Sequence, residues 1–269
     1  MILLTLAYRG TAFAGFQVQP GMRTVQGTVQ DAIEAIYGRR LPVVGCSRTD
    51  AGVHARDYKM TFTPTEDCPR IPTEKIPAAL NTTLPDDISV LSACKMPDTF
   101  HVRHDVYEKE YEYLIYNHSI RSPFFLDTAY HYKRPLDASQ LDLAAAYFRG
   151  THDFRGFMAS GSDILDTVRT VRGTAVVRDE NLIRIRISAD GFLYNMVRIF
   201  VGTLLYVAEG KISVDTLPCL IASCDRNRAG LTVPACGLYL NRVTLKTDMM
   251  KNGNLDEKEE MSHTNCINS

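Results

Sequence analysis

Thr167-Val168-Arg169-Thr170-Val171-Arg172-Gly173-Thr174-Ala175-Val176-Val177 and Leu182-Ile183-Arg184-Ile185-Arg186-Ile187 flank the short polar turn Asp179-Glu180-Asn181. Both flanking runs alternate apolar and polar residues. A period of two belongs to a pleated strand that buries one face and solvates the other. Two such runs about a tight polar turn form a β-hairpin. An antiparallel sheet is therefore the frame on which the rest of the chain is read.

Downstream, Asn195 to Glu209 is apolar nearly all round (Met196, Val197, Ile199, Phe200, Val201, Leu204, Leu205, Val207), the pattern of a buried helix. Val214 to Ala222 is predicted to be a second helix and Gly237 to Leu245 the last strand. Upstream, Glu108 to Tyr116 alternates through Tyr111, Tyr113 and Ile115 as a strand, and Asp137 to Phe148 is a helix ended by Gly150. The first half has its own series. Strands are predicted over Ile2–Tyr8, Leu41–Val44, Tyr58–Thr63 and Ile88–Lys95. Helices are predicted over Val25–Tyr37, capped by Thr24 and followed by Gly38, and over Thr73–Leu80, capped by Thr73. The similar element orders predict an α/β chain of the α+β type. Two similar subdomains, residues 1–105 and 106–247, would carry mixed, largely antiparallel sheets flanked by helices, with an active-site cleft between them. Residues 248–269 are polar and are predicted to be a disordered tail.

Composition narrows the class. The chain has 269 residues, 45% of them hydrophobic, enough for an ordinary core. The start, Met1 to Tyr8, lacks a basic segment and a small-residue cleavage site, and no apolar run is long enough for a bilayer. A cytoplasmic protein with no membrane partner is expected. Seven scattered cysteines, with no C-x-x-C pair, read as reduced thiols. His101 and His104 form H-x-x-H without a further ligand at metal spacing, so no metal site is expected. The net charge is −1. Residues 248–269 hold five acids and two bases, net −3, so the body at −1 minus −3 carries +2. Any nucleic-acid site must then be a local patch.

Four features can carry chemistry. Arg48-Thr49-Asp50-Ala51-Gly52 lies between two predicted strands, and its small residues permit a turn that projects the Asp50 carboxylate. A plain surface turn fits the local sequence equally well. Tyr111 shares a strand face with Lys109 and Tyr113. Such tyrosines pack a core or stack on a base. Arg198 interrupts the apolar helix, so it needs a carboxylate partner, Asp50 being one candidate, or must reach the helix edge. Arg39, Arg40, Arg121, Arg134, Arg155, Arg169 and Arg172 are either phosphate contacts or ordinary surface.

Ordered blocks extend these features along the whole body. They are Tyr8-Arg9-Gly10-Thr11-Ala12-Phe13-Ala14-Gly15-Phe16-Gln17, Arg23-Thr24-Val25-Gln26-Gly27, and Gly45-Cys46-Ser47-Arg48-Thr49-Asp50-Ala51-Gly52-Val53-His54-Ala55. Asn81-Thr82-Thr83-Leu84-Pro85, Phe100-His101-Val102-Arg103 and Lys109-Glu110-Tyr111-Glu112-Tyr113 follow. Asn195-Met196-Val197-Arg198 with Gly202, Ala229 to Ala235, and Gly237-Leu238-Tyr239-Leu240 close the series. From Ile2 to about Thr247 the chain resembles the tRNA pseudouridine synthase A family. Phe16 stands where that family frequently has tryptophan, and Leu231 where it commonly has proline.

The resemblance implies an isomerase that converts uridine to pseudouridine at positions 38 to 40 of the tRNA anticodon stem–loop. It implies Asp50 as the catalytic aspartate, Tyr111 as the residue stacked on the target uracil, and Arg198 as the partner of the aspartate. Arg48 and the run Phe100, His101, Val102, Arg103 and His104 match RNA-contacting positions. Gly161 to Leu165 aligns with another RNA-contacting segment but has dissimilar residues. A homodimer on tRNA, with no metal and no small-molecule cofactor, is also implied. Two other classes compete: a non-catalytic tRNA-binding or folding module on the same scaffold, and a carboxylate glycosidase acting on free nucleosides.

Overall fold

The hairpin forms as read: β8 (Val168–Asp179) pairs antiparallel with β9 (Leu182–Ala189). Glu180, at φ 51, supplies the positive angle that a two-residue hairpin turn needs. Ile183, Ile185 and Ile187 are fully buried, while Arg184 and Arg186 alternate onto the other face. The computed structural model describes residues 1–162 and 164–251.

Eight further strands join this hairpin in one sheet: β1 (Ile2–Tyr8), β2 (Val43–Gly45), β3 (His54–Phe62), β4 (Ile88–Lys95), β5 (Val106–Asn117), β6 (Tyr130–Tyr132), β7 (Gly150–Asp153) and β10 (Leu238–Leu245). The main order is β4-β1-β3-β10-β5-β9-β8-β7, with β2 attached to β3 and β6 to β5. All these pairings are antiparallel except β10 with β3 and β5 with β6. The last strand thus lies between the first and second halves. It meets β3 through only two residue pairs, Tyr239 with His54 and Leu240 with Ala55.

Helices cover the apolar face. In the first half α1 (Val25–Tyr37) buries Val25, Val29 and Ile33. Thr24 caps it by accepting from the Gly27 amide at 3.3 Å, and Gly38 ends it at φ 73. In the second half α3 (Ala138–Ala146) packs over β8 and α4 (Met196–Ala208) packs against α3, with Phe148, Phe157 and Phe200 interlocked beside them. Asp137 caps α3 rather than joining it. Apart from Arg198, α4 has almost no polar side because it is sunk in the core.

Several boundaries differ from the sequence reading, with physical reasons. The helices expected over Thr73–Leu80 and Val214–Ala222 each split into a 3-10 turn followed by α2 (Ile76–Asn81) or α5 (Leu217–Ala222). Pro77 and Pro218 lack an amide donor, so each α-helix starts where its proline falls in the first turn. Thr73 is therefore not a cap; it opens the 3-10 turn. The helix expected to run to Phe148 and to be ended by Gly150 stops at Ala146, and Gly150, at φ 105, begins β7. The short strands β6 and β7 have too few residues to show a period. Strand β3 starts at His54, four residues earlier than expected, because the motif's own His54-Ala55 pairs with β10. The expected tail begins differently too, since Lys246–Lys251 form α6. Residues 252–269 of that tail lie outside the described residues.

Candidate active site

Cross-strand register brings the distant motifs together. On the helix-covered face, Ala55 of β3 pairs with Leu240 of β10, Leu240 with Tyr111 of β5, and Tyr111 with Ile187 of β9. Tyr111 therefore shares a row with Ala55, and Asp50 lies five residues before Ala55 in the loop entering β3.

That loop is clamped from behind by the Tyr8–Gln17 segment. Phe16 N–H donates to Thr49 O at 3.0 Å, and the hydroxyls of Tyr8 and Thr49 lie 2.8 Å apart. Gly10 N–H donates to His54 Nδ1 at 3.1 Å, and the other His54 ring nitrogen bonds to Cys236 O at 3.1 Å. A Cβ on Gly10 would sit 1.9 Å from Val53 O, and one on Gly15 (φ 96) would sit 2.8 Å from Thr49 O. The glycines are there because backbone presses on backbone. Phe16 stacks on Tyr58 at 4.6 Å, and Tyr58 OH donates to Ser47 O. Phe16 is thus core support for the loop. Gly52, at φ 78, completes the turn, with Val53 N–H donating to Asp50 O at 3.1 Å.

The Asp50 carboxylate accepts no hydrogen bond among the described residues. Its near cation is Arg198, whose Nη1 lies 3.9 Å from Asp50 Oδ2. Side-chain exposures are 18% for Arg198 and 32% for Asp50, so the pair is half-sheltered. Arg198 is fixed independently: Nε donates to Val233 O at 2.7 Å and Nη1 to Asn195 Oδ1 at 2.6 Å. Asn195 holds a left-handed conformation (φ 60) at the entry to α4, which turns its amide toward Arg198. Val233 is held in turn by a close contact between the Ala229–Val233 loop and α4. There Gly230 N–H donates to Thr203 Oγ1 at 2.8 Å, and Thr203 Oγ1 donates to Ile199 O at 2.8 Å.

A cavity of about 680 Å³ opens at this junction. The Cys46–Asp50 loop, Lys109 and Tyr111, the turn over residues 192–197, and Gly161, Ser162 and Ile164 line it. Its size suits a nucleotide-sized ligand. A second groove of about 280 Å³ shares Arg48, Thr49, Asp50 and Tyr194 with it, so Asp50 stands on the border between the two.

Burial raises the Asp50 carboxyl above its ordinary value, and Arg198 pulls it part of the way back. Burial likewise pushes the Tyr111 phenol well up, with the Ser47 side chain offsetting part of the rise and Asp50 adding to it. Lys109 is lowered, first by burial and then by Arg103 and Arg169. The Tyr111 ring meets Phe192 edge-on at 5.0 Å, leaving an aromatic wall beside Asp50. Among the described lining residues Arg48, Arg103 and Lys109 are the cations and Asp50 the acid, a surplus of two positive charges. None of those three cations is in an ion pair among the described residues.

Asp50, Tyr111, Arg198 and Arg48, separated in sequence, meet at one place. The Phe100–His104 segment divides. His101, Arg103 and His104 are exposed, the two histidine rings lying 4.2 Å apart, whereas Phe100 and Val102 turn into the core at 6% and 1% exposure. Arg103 Nε donates to Gly45 O at 3.0 Å and so aims the guanidinium at the cavity. Most of the remaining arginines singled out have other engagements. Arg39, Arg40, Arg134 and Arg155 are in ion pairs, and Arg172 lies over Tyr107 at 4.3 Å. Sequence reasoning missed Asn195, Val233, Lys109 and the residue 192–197 turn as parts of the site. For Asn195 a signal existed, since it stands three residues before Arg198, the spacing of neighbours on a helix face. The Val233 carbonyl had none.

Known proteins match this chain along nearly its whole described length. The family model for tRNA pseudouridine synthase matches residues 5–105 and 144–245, stretches that contain Asp50, Arg198 and their supporting loops. The tRNA pseudouridine synthase A of Ruminiclostridium cellulolyticum is 42% identical over 243 residues, covering 90% of this chain and 98% of that protein. The synthase of the same name from Thermoanaerobacter sp. (strain X514) is 43% identical over 242 residues, with coverage of 90% and 98%. That of Caldicellulosiruptor saccharolyticus is 44% identical over 239 residues, with coverage of 89% and 97%. Identity at this level across both halves, with the motifs converging on one cavity, means that the chain belongs to the tRNA pseudouridine synthase family.

Proposed function

We propose that the chain isomerises uridine to pseudouridine in tRNA, at positions 38 to 40 of the anticodon stem–loop, with Asp50 as its catalytic carboxylate. The observation that carries this reading is the Asp50–Arg198 pair at 3.9 Å on the edge of a cavity walled by Tyr111. In the reaction the N1–C1′ bond breaks, the base turns, and C5 bonds to C1′. C5 loses its hydrogen and N1 gains one, so nothing is oxidised and no water is consumed. The target must leave its stack to reach a recessed carboxylate, which costs a few kcal/mol. Stacking on the Tyr111 ring offsets about 1–3 kcal/mol of that.

Asp50 serves as nucleophile toward sugar or base, or as base toward a sugar proton. Each route needs it ionised and free of hydrogen bonds that would blunt it. Arg198 supplies the opposing charge, and its bonds to Val233 and Asn195 keep it from swinging to close contact. Arg48, His101, Arg103 and His104 are the residues assigned to RNA contact. For Phe100 and Val102 burial leaves a supporting role for their side chains. Asp50→Asn is expected to abolish release of tritium from uridine C5 in unmodified tRNA while tRNA still binds. Full turnover by that variant would overturn the assignment. A homodimer sharing one tRNA, in the cytoplasm, belongs to the same reading. A monomeric mass by light scattering at micromolar concentration, with and without tRNA, would refute the dimer.

A further inference from the structure

Lys109 is the cavity residue that the reaction above leaves unused. It projects from β5 on the same face as Tyr111, two residues away, which sets their Cα atoms about 7 Å apart. It is half-buried, and among the described residues its ammonium makes no hydrogen bond or ion pair. Two more cations face it. Arg103, tethered to Gly45 O, lines the same cavity. Arg169 lies on β8, and the sheet register leads from Lys109 to Ala189 to Val171, with Arg169 two residues along on the same face. Arg169 is 17% exposed, and its acidic neighbour, Asp166, is 3.9 Å away and 81% exposed, a weak counter-charge. Gly191 makes room for it, since a Cβ there would come within 3.3 Å of Arg169 Nε.

Gathering three cations, two of them partly withdrawn from water, is unfavourable unless an anion joins them. The mutual effect is already visible, because Arg103 and Arg169 both depress the Lys109 ammonium. Asp50 is not the intended anion. Its near cation is Arg198, and among the described residues it makes no ion pair with Lys109, Arg103 or Arg169. Three positive groups at and beside the cavity wall, two of them guanidinium forks, suit the tetrahedral oxygens of a phosphodiester better than the flat edge of a base.

We infer that Lys109, Arg103 and Arg169 form a binding site for a backbone phosphate next to the flipped uridine, which seats the strand so that the sugar meets Asp50. This rests on the proposed function for the identity of the strand, and it adds a residue set outside the catalytic pair.

The test is tRNA affinity of the full chain as a function of salt, with single-turnover rates alongside. Each phosphate contact contributes about 0.7 to 0.9 to the slope of log affinity against log salt, or roughly threefold in affinity between 50 and 200 mM. Lys109→Met and Arg169→Gln should each flatten the slope by that amount and weaken binding at low salt. The rate at saturating tRNA should fall as well, because the phosphate seat places the sugar against Asp50, and Lys109→Arg should restore slope, affinity and rate. An unchanged slope in both variants would overturn the site. So would an unchanged slope with a rate lost at saturation in Lys109→Met, which would assign the ammonium to the base instead. Should Lys109→Met fail to fold, Arg169→Gln and Lys109→Arg still decide the matter. Failure of the wild-type chain to form pseudouridine would strike the proposed function alone, because the slope measures binding.

Discussion

Gly202→Ala adds one methyl group, far from any substrate contact, and should disable the site. Gly202 lies inside α4, where alanine is ordinarily better than glycine by about 0.8–1 kcal/mol. Here the new Cβ would sit 1.8 Å from Leu231 O and 2.9 Å from Leu231 C, against an ordinary contact of 3.4 Å. The Ala229–Val233 loop must therefore withdraw by about 3.4 minus 1.8, or 1.6 Å. Gly230 cannot give way in the other direction, because its backbone already presses on α4: a Cβ on it would sit 2.2 Å from Gly202 C and Thr203 N. Overpacking of this kind costs about 1–3 kcal/mol, which exceeds the helix gain in most of its range. A lower melting temperature follows, by about 2–4 °C for each net kcal/mol in a chain of this size. The functional effect is larger. Val233 O, two residues beyond Leu231, holds Arg198 Nε at 2.7 Å, and a shift above 1 Å breaks that bond. Arg198 then loses its fixed place beside Asp50. A misplacement of about 1 Å at a reacting group costs on the order of 100-fold in rate. Tritium release from uridine C5, measured well below the melting temperature at saturating tRNA, reads the rate free of unfolding. Wild-type rate and wild-type melting together would refute the claim that this contact positions Arg198.

Three further outcomes follow from the same geometry. Asp50→Asn should raise the melting temperature at neutral pH while abolishing activity. Burial lifts the folded carboxyl above its ordinary value, so its ionised form weakens the fold above that pH and protonation relieves it. A lower melting temperature for the variant would show that Arg198 outweighs burial. Tyr111→Phe should keep most of the rate, since stacking uses the ring, whereas Tyr111→Ala should lose about 1–3 kcal/mol of transition-state stabilisation, read as kcat/KM; equal losses would place the role in the hydroxyl. His54 is held neutral, because Gly10 N–H occupies its Nδ1 and burial lowers its pKa from the ordinary 6.5. Its stabilising contribution is present above pH 6.5 and is lost as pH falls below it. His54→Gln should flatten the melting temperature against pH in that range, and an unchanged pH profile would count against the clamp.

The pleated hairpin, the buried helix around Arg198 and the cap at Thr24 were legible because each depends on residues close in sequence. Pro77 and Pro218 blurred the helix starts because sequence periodicity does not say which turn of a helix a proline will occupy. The catalytic geometry was legible only as a pattern. Locally Asp50 could have been any turn aspartate, and nothing near it names Arg198, which lies 148 positions away. What joins them is the insertion of β10 between β3 and β5, a long-range pairing with only two register pairs at the junction. The Val233 carbonyl is the extreme case. Every residue has such a group, and only the fold makes this one an arginine clamp.

The same fold explains how a chain of net charge −1 can serve a polyanionic partner. Charges on the sheet's open face are largely spent on each other. Glu112, 1% exposed, gathers Arg56 at 2.6 Å, Arg186 at 2.8 Å and Arg184 at 3.4 Å. Burial alone would raise that carboxyl, but Arg186 and Arg56 outweigh it and hold it below its ordinary value. Cations tied up in this way are not free to neutralise phosphates, so they release few counterions from the RNA and add little to its affinity. On the helix-covered face the balance is reversed. Arg48, Arg103 and Lys109 border the cavity without acidic partners among the described residues, and the carboxylate that accompanies them is kept 3.9 Å from Arg198. A formal net charge averages over these two faces and so carries no information about either. On the proposed reading, binding depends on the unpaired cations at the cavity, and catalysis on one carboxylate that the fold declines to satisfy fully.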